Sequence, residues 1–313
     1  MTNAPLITYD RPGFGKSGLD TIDHGINHTI DGLEIALRKL GFTGSIMCVA
    51  HSQGGIYAQV FAYRHPDLVK FAVMIDATTA CFYQPSRLTA TQHSIDQGNQ
   101  KIRYTHPGSY FQGADFSRNI EVARRSPFPA TIPIIDFVSD KPPFADSAEI
   151  ADWKRCHREF VAEAGNRTGI TARGCGHYIF ADNSPLVILA IAKAYAGMVD
   201  EVRVNKIRQQ IVDYALQAAN ESKGQELAYR HSEDDINTWG YQLLQARDFK
   251  KAVEVFKLNV SLHPSSWNAY DSYGEALLKI GDKSEALKMY RKSVELNPNN
   301  EHGKQVLHDT TAN

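Results

Sequence analysis

Two hydrophobic rhythms follow one another along the chain. Up to about residue 200, short, mostly apolar runs alternate with helical patterns. The runs are Leu6–Asp10 (LITYD), Ser45–Val49, Phe71–Ala77 (FAVMIDA), Ile132–Asp140 (IPIIDFVSD) and the GITARG segment ahead of Cys175. Runs this short and this apolar predict strands buried on both faces, the signature of a parallel sheet. Between them, Thr29–Leu40 reads as an amphipathic helix ending at Gly41. Gln53–Tyr63 begins another helix, and Leu186–Tyr195 a further one. Strands alternating with helices predict an α/β unit with helices on both faces of the sheet.

Beyond residue 200 the pattern is helical throughout. Val202–Ala219 carries Val204, Ile207, Ile211, Tyr214 and Ala215 at helical spacing. Further on, a shift of 34 brings Gly240 onto Gly274, Leu243 onto Leu277, Leu244 onto Leu278 and Asp248 onto Asp282. The same shift brings Ala252 onto Ala286, Phe256 onto Tyr290 and Pro264 onto Pro298. Each unit reads as helix, polar turn, helix, proline. Small residues stand where the two helices must approach closely, and the aromatics fill the gap between hairpins. In period and register this resembles the tetratricopeptide repeat family. The resemblance implies a protein-docking or self-associating surface on residues 233–313. A helical appendage packing on its own chain competes with that reading, because solenoids usually need about three repeats for a continuous core. The division expected is 1–200 for the α/β unit, 201–232 for a linking helix, and 233–313 for two repeats with a C-terminal capping helix.

The candidate chemistry lies in Ala50-His51-Ser52-Gln53-Gly54-Gly55, between the second strand and its helix. A small-x-Ser-x-Gly run in that setting is a nucleophile elbow. The turn strains the serine backbone, small residues at 50 and 54 relieve crowding, and the hydroxyl is held out at a helix N-terminus. The backbone N–H of Gln53, next in the chain, is the expected oxyanion donor. Serine is inert near neutral pH without a base and an orienting acid. His177, in Gly174-Cys175-Gly176-His177 on a glycine-flanked loop before a helix, is the expected base. His51 supports the elbow, and the His24/His28 pair reads as a solvated pair lacking a third metal ligand. For the acid, Asp140 at the end of its strand is preferred on position, with Asp76, which ends the preceding strand, as the alternative. Asp136 sits mid-strand and points into the packing of the sheet.

With these residues, residues 4–198 resemble the α/β-hydrolase family, and YDRPGFGKSG looks like that family's loop ahead of the elbow helix. The resemblance implies hydrolysis of ester, thioester or amide bonds through an acyl-enzyme, with no cofactor and a small-molecule substrate. Residues 78–130 fall where the family inserts its lid. Their aromatics (Phe82, Tyr83, Tyr104, Tyr110, Phe111, Phe116) suit an apolar acyl or alcohol group, and packing of the lid itself accounts for them equally. In the family three strands precede the one at Leu6, one of them followed by a second oxyanion donor, and here five residues do. The expectation is a fold lacking its first strands, with a natural start further upstream or a truncated gene. Beside a serine hydrolase stand two other readings: a catalytically impaired remnant acting through its repeats, and an acyltransferase.

Composition narrows the field further. Of 313 residues, 42% are hydrophobic and 22% charged, which excludes a disordered chain. Thirty-four Lys and Arg against 35 Asp and Glu leave a net charge of −1, with no electrostatic case for nucleic acid or anionic membrane. No apolar run approaches the ~18 residues of a membrane span, and the start does not read as a signal peptide, which points to the cytoplasm. The four cysteines fit neither a disulfide framework nor a CxxC metal site.

Overall fold

The computed structural model describes residues 4–20, 23–200, 233–245 and 247–311, with scattered positions between 203 and 217. Contacts divide the chain into two units, residues 2–200 and 201–313.

In the first unit, α1 (Ile26–Lys39) leads to β1 (Ile46–His51), α2 (Gly54–Arg64) and β2 (Val69–Ile75). Three helices follow: α3 (Pro85–Asn99), α4 (Pro107–Ala114) and α5 (Phe116–Arg125). Then come β3 (Ile134–Lys141), α6 (Ser147–Ala162), β4 (Arg167–Gly176), the short α7 (Ile179–Asp182) and α8 (Ser184–Ala196). The four strands form one parallel sheet in the order β1-β2-β3-β4. β3 is buried along nearly its whole length and β2 along most of it, as inner strands of a parallel sheet must be. β1 is an edge, and its Val49 is 46% exposed.

The main core joins α1, α2 and α5 to the sheet through Ile30, Ile56, Val60, Met74 and Ile120. A separate cluster of Phe82, Val138, Trp153 and Cys156 joins α6 to β3 and to the loop after β2. Asp136, buried at 2% exposure, meets His157 Nδ1 of α6 at 2.7 Å.

The structure departs from the sequence expectation at Leu6–Asp10. This segment is not a strand, and Leu6 is 85% exposed. A strand exists only through the ladder it shares with a neighbour, and apolar composition alone does not supply one. The stretch from 78 to 130, which shows no clear period, folds as α3, α4 and α5. Its aromatics divide: Phe82 packs edge-on against Trp153 and Tyr83 edge-on against Phe116, while Tyr104 is 88% exposed. The cysteines are a second correction, because Cys81 and Cys156 form a disulfide across 75 residues. Such a pair has no spacing signature; it exists because α6 packs over the loop after β2. Cys48 and Cys175 are free.

The second unit contains α9 (Glu233–Gln245), α10 (Phe249–Leu262), α11 (Trp267–Lys279), α12 (Lys283–Leu296) and α13 (Glu301–Thr311). The shift of 34 holds in atomic detail. A Cβ at Gly240 would lie 2.3 Å from the Phe256 ring, and one at Gly274 would lie 2.9 Å from the Tyr290 ring. Arg247 and Gly281, also 34 apart, both take left-handed backbone, with φ of 60° and 83°. The following Asp248 and Asp282 cap α10 and α12 through the amides of Lys251 and Glu285. Most of the expected linking helix over 202–219 lies outside the described residues; Ile207 and Ile211, which are described, are buried.

Candidate active site

β1 and β2 run side by side with His51 in register with Ile75, so the residues after them, Ser52 and Asp76, leave the sheet at neighbouring points. Both take left-handed backbone, φ 53° at Ser52 and 42° at Asp76, which L side chains rarely adopt. Backbone bonds hold the elbow: Ser52 N–H donates to Ile75 O (3.2 Å), and Ser52 O accepts from Gly55 (2.9 Å) and Thr78 (2.8 Å). At residue 54 a Cβ would make ordinary contact with Ala50, 3.8 Å away. At Gly55 it would lie 2.6 Å from Ala77 Cβ. Glycine is therefore demanded at 55, where α2 crosses the chain just after Asp76.

His177 follows β4 and the left-handed Gly174, φ 74°. Its Nε2 lies 2.9 Å from Ser52 Oγ and its Nδ1 lies 2.7 Å from Asp76 Oδ2. A carboxylate facing Nδ1 places the proton there and leaves Nε2 to accept from the serine hydroxyl. Asp76 is fully buried and fully engaged. Oδ1 accepts from the Ser139 amide (2.8 Å) and Trp153 Nε1 (2.9 Å), and Oδ2 accepts from Ser139 Oγ (2.8 Å) as well as His177. Burial pushes the Asp76 carboxyl up, but the bonds from His177, the Ser139 amide, Trp153 and the Ser139 hydroxyl outweigh it and hold the group below the usual carboxylate range.

Asp140, preferred from the sequence, stands elsewhere. Its Oδ1 meets Lys154 Nζ at 3.2 Å and its Oδ2 accepts from the Gly174 amide at 3.2 Å, at the solvent-facing end of β3. The Gly174 amide first, and Lys154 after it, hold its carboxyl below the usual range. Alternation along the strand explains the correction: Ser139 turns toward Asp76, so the next residue turns to the other side. The signal for Asp76 was present as a lone carboxylate closing the uncharged run Phe71–Ile75.

Gln53 is the N-cap of α2, a position whose N–H the helix does not use. Its side-chain oxygen accepts from Gln112 of α4, tying the elbow to the helices over 78–130. His24 and His28 are not a pair on one helix face. His24 precedes α1 and stacks on Phe111 with ring centroids 3.8 Å apart, while His28 pairs with Asp20. Cys81, Cys156 and Glu159 bring three ligand-type atoms within 4.8 Å of one another, but two of these are the sulfurs of the disulfide. Among the described residues no helix is long and apolar enough to cross a membrane.

The family model for the alpha/beta hydrolase fold matches residues 3–193, and the chain belongs to that family. A tetratricopeptide repeat model matches residues 267–300. The uncharacterized protein YqjL of Bacillus subtilis (strain 168) is 22% identical over 187 residues, 59% of this chain and 71% of that one. The uncharacterized protein C23C11.06c of Schizosaccharomyces pombe (strain 972 / ATCC 24843) is 39% identical over 72 residues, 23% of this chain and only 14% of that protein. Among solved structures, a thermophilic esterase from Thermogutta terrifontis is similar at 15% identity and a TM-score of 0.43, covering 59% of this chain and 76% of that one.

Proposed function

We propose that the first unit is a serine hydrolase that cleaves an ester, thioester or amide of a small substrate through an acyl-enzyme. The observation that carries this reading is the continuous line Ser52 Oγ–His177 Nε2 (2.9 Å) and His177 Nδ1–Asp76 Oδ2 (2.7 Å). Ser52 Oγ attacks the carbonyl carbon as His177 Nε2 takes its proton. The oxygen that becomes negative meets the Gln53 N–H at the start of α2. His177 returns the proton to the departing alcohol, thiol or amine, leaving Ser52 acylated. Water then repeats the sequence, with His177 as its base, and frees the acid. Asp76 holds the His177 tautomer and steadies the imidazolium in both halves.

A fluorophosphonate probe tests the proposal. Labelling of the folded protein that disappears in Ser52→Ala supports it; folded protein that stays unlabelled refutes it and moves the functional reading to the repeats. Acyl transfer differs only in the nucleophile of the second half, so product analysis with added alcohols separates it from hydrolysis.

A second reading applies to the repeats. An open pocket of about 410 Å³ is lined by Asp234, Asn237, Thr238, Tyr241 and Gln245 of α9. The tetratricopeptide repeat match over residues 267–300 supports a protein-docking reading, and a second copy of this chain is the partner to test first. Sedimentation of the full chain beside Asn237→Ala decides it: a dimer lost in the variant supports self-association, and a monomer in both excludes it.

A further inference from the structure

His51 immediately precedes Ser52, yet its ring belongs to the far loop. Its Nε2 lies 2.9 Å from the backbone carbonyl oxygen of His177, 126 residues away. The imidazole sits 4.6 Å from the His177 ring and 5.3 Å from Tyr178, with Phe180 edge-on at 5.0 Å. A carbonyl oxygen only accepts, so His51 Nε2 carries a proton. Burial pushes the imidazole below its ordinary range, against the pull of that carbonyl, so at neutral pH this proton is the only one on the ring.

We propose that His51 is a positioning residue for the base: its Nε2–H bond to the His177 carbonyl sets where the His177 ring stands relative to Ser52. This rests on the reading of Ser52 and His177 as nucleophile and base. The bond matters because of what surrounds His177. Ahead of it, Gly174 N–H donates to Asp140 Oδ2 and Gly176 pairs with Lys141, so the approach to His177 is held from the β3 side. On one side Gly176 N–H donates to Asp182 Oδ2 at 2.7 Å, which ties the loop to α7 within the same stretch of chain. The His51 bond instead ties it to β1.

His51 and Ser52 are consecutive on a turn whose strained geometry is fixed by the Ile75 and Thr78 bonds. The anchor and the nucleophile therefore move as one body. The hydrogen bonds at the two ring nitrogens of His177 orient the imidazole, and the His51 bond fixes its backbone carbonyl from the β1 side. A displacement of about 1 Å between reacting groups is enough to cost about 100-fold in rate.

Three variants separate positioning from packing. His51→Gln brings an amide N–H close to the place of Nε2. His51→Met keeps bulk without a donor, and His51→Asn offers the same amide one methylene short of the carbonyl. With para-nitrophenyl butyrate, kcat is expected to fall about 10- to 100-fold in His51→Met and in His51→Asn, with KM within about two-fold of the parent. His51→Gln is expected to stay within a few-fold in both. Parental kcat in His51→Met or His51→Asn overturns the proposal, and so does a Gln variant no better than Asn. If His51→Met does not fold, the Gln and Asn pair decides alone. Fluorophosphonate labelling of the parent, abolished by Ser52→Ala, is read separately. Its failure refutes the nucleophile, whereas labelling with parental kcat in His51→Asn refutes only the role of His51.

Discussion

Asp76 Oδ2 stands 2.7 Å from Nδ1 of His177, and the same carboxylate receives three further hydrogen bonds from Ser139 and Trp153. A carboxylate so held can neither rotate away nor take up a proton readily, which is what the proposed role of orienting the His177 imidazole requires. Asp140, by contrast, lies beside Lys154.

The two carboxylates therefore separate in a mutational comparison. Asp76→Asn is expected to lower kcat by about 10⁴-fold, the cost of losing the acid that sets the tautomer. Asp140→Asn is expected to leave kcat within a few-fold of the parent. Steady-state kinetics on an activated ester checks both, and equal losses in the two variants would contradict the assignment.

The same cage makes Asp76 a source of acid sensitivity. Its pKa is lower folded than unfolded, so its contribution to stability is full above the ordinary carboxylate value of about 4 and is lost as the pH falls below it through the folded value. Denaturant unfolding between pH 3 and pH 7 is expected to show a steeper acid loss in the parent than in Asp76→Asn. Parallel curves would mean that the folded environment does not favour the ionised carboxyl.

Joining residues 75 apart, the Cys81–Cys156 disulfide restricts the unfolded chain. Replacing both cysteines by serine is expected to lower stability by about 2–4 kcal/mol. Alkylation under denaturing, non-reducing conditions should find two thiols, Cys48 and Cys175, and four after reduction. Four thiols before reduction would remove the bond from consideration.

In the repeats, the closest approach is at Gly240, where even a methyl group would lie 2.3 Å from the ring of Phe256. Gly240→Ala is expected to destabilise the helical unit by about 1–3 kcal/mol through overpacking, seen as an earlier melting of helical circular dichroism. Fluorophosphonate labelling of Ser52 is expected to be unchanged. A melting curve identical to the parent's would show that the hairpin absorbs the methyl group without strain.

How much of this is legible in a linear reading depends on the range of the interaction. The elbow around Ser52 is local: a strand, a tight turn and a helix within a dozen residues, each with its own composition. The repeat is legible for a different reason, since its two copies carry the same packing demand at the same offset, Gly240 against Phe256 and Gly274 against Tyr290. Asp76 and Asp140 look alike in one dimension, both carboxylates closing an apolar strand. Their difference lies in which side of the strand end faces Ser139, Trp153 and His177.

The sequence by itself determined the alternation of buried strands and helices, the strained serine turn and the 34-residue helical period, because propensity, apolar spacing and turn chemistry act over neighbouring residues. Only the tertiary structure decided that Asp76 rather than Asp140 meets His177, that Cys81 joins Cys156, that residues 6–10 form no strand and that His51 reaches the far loop. Each of these turns on residues distant in the chain, or on the presence of a neighbouring strand. Contacts of that kind are set by how the sheet and its helices stack, which leaves no periodic mark along the chain.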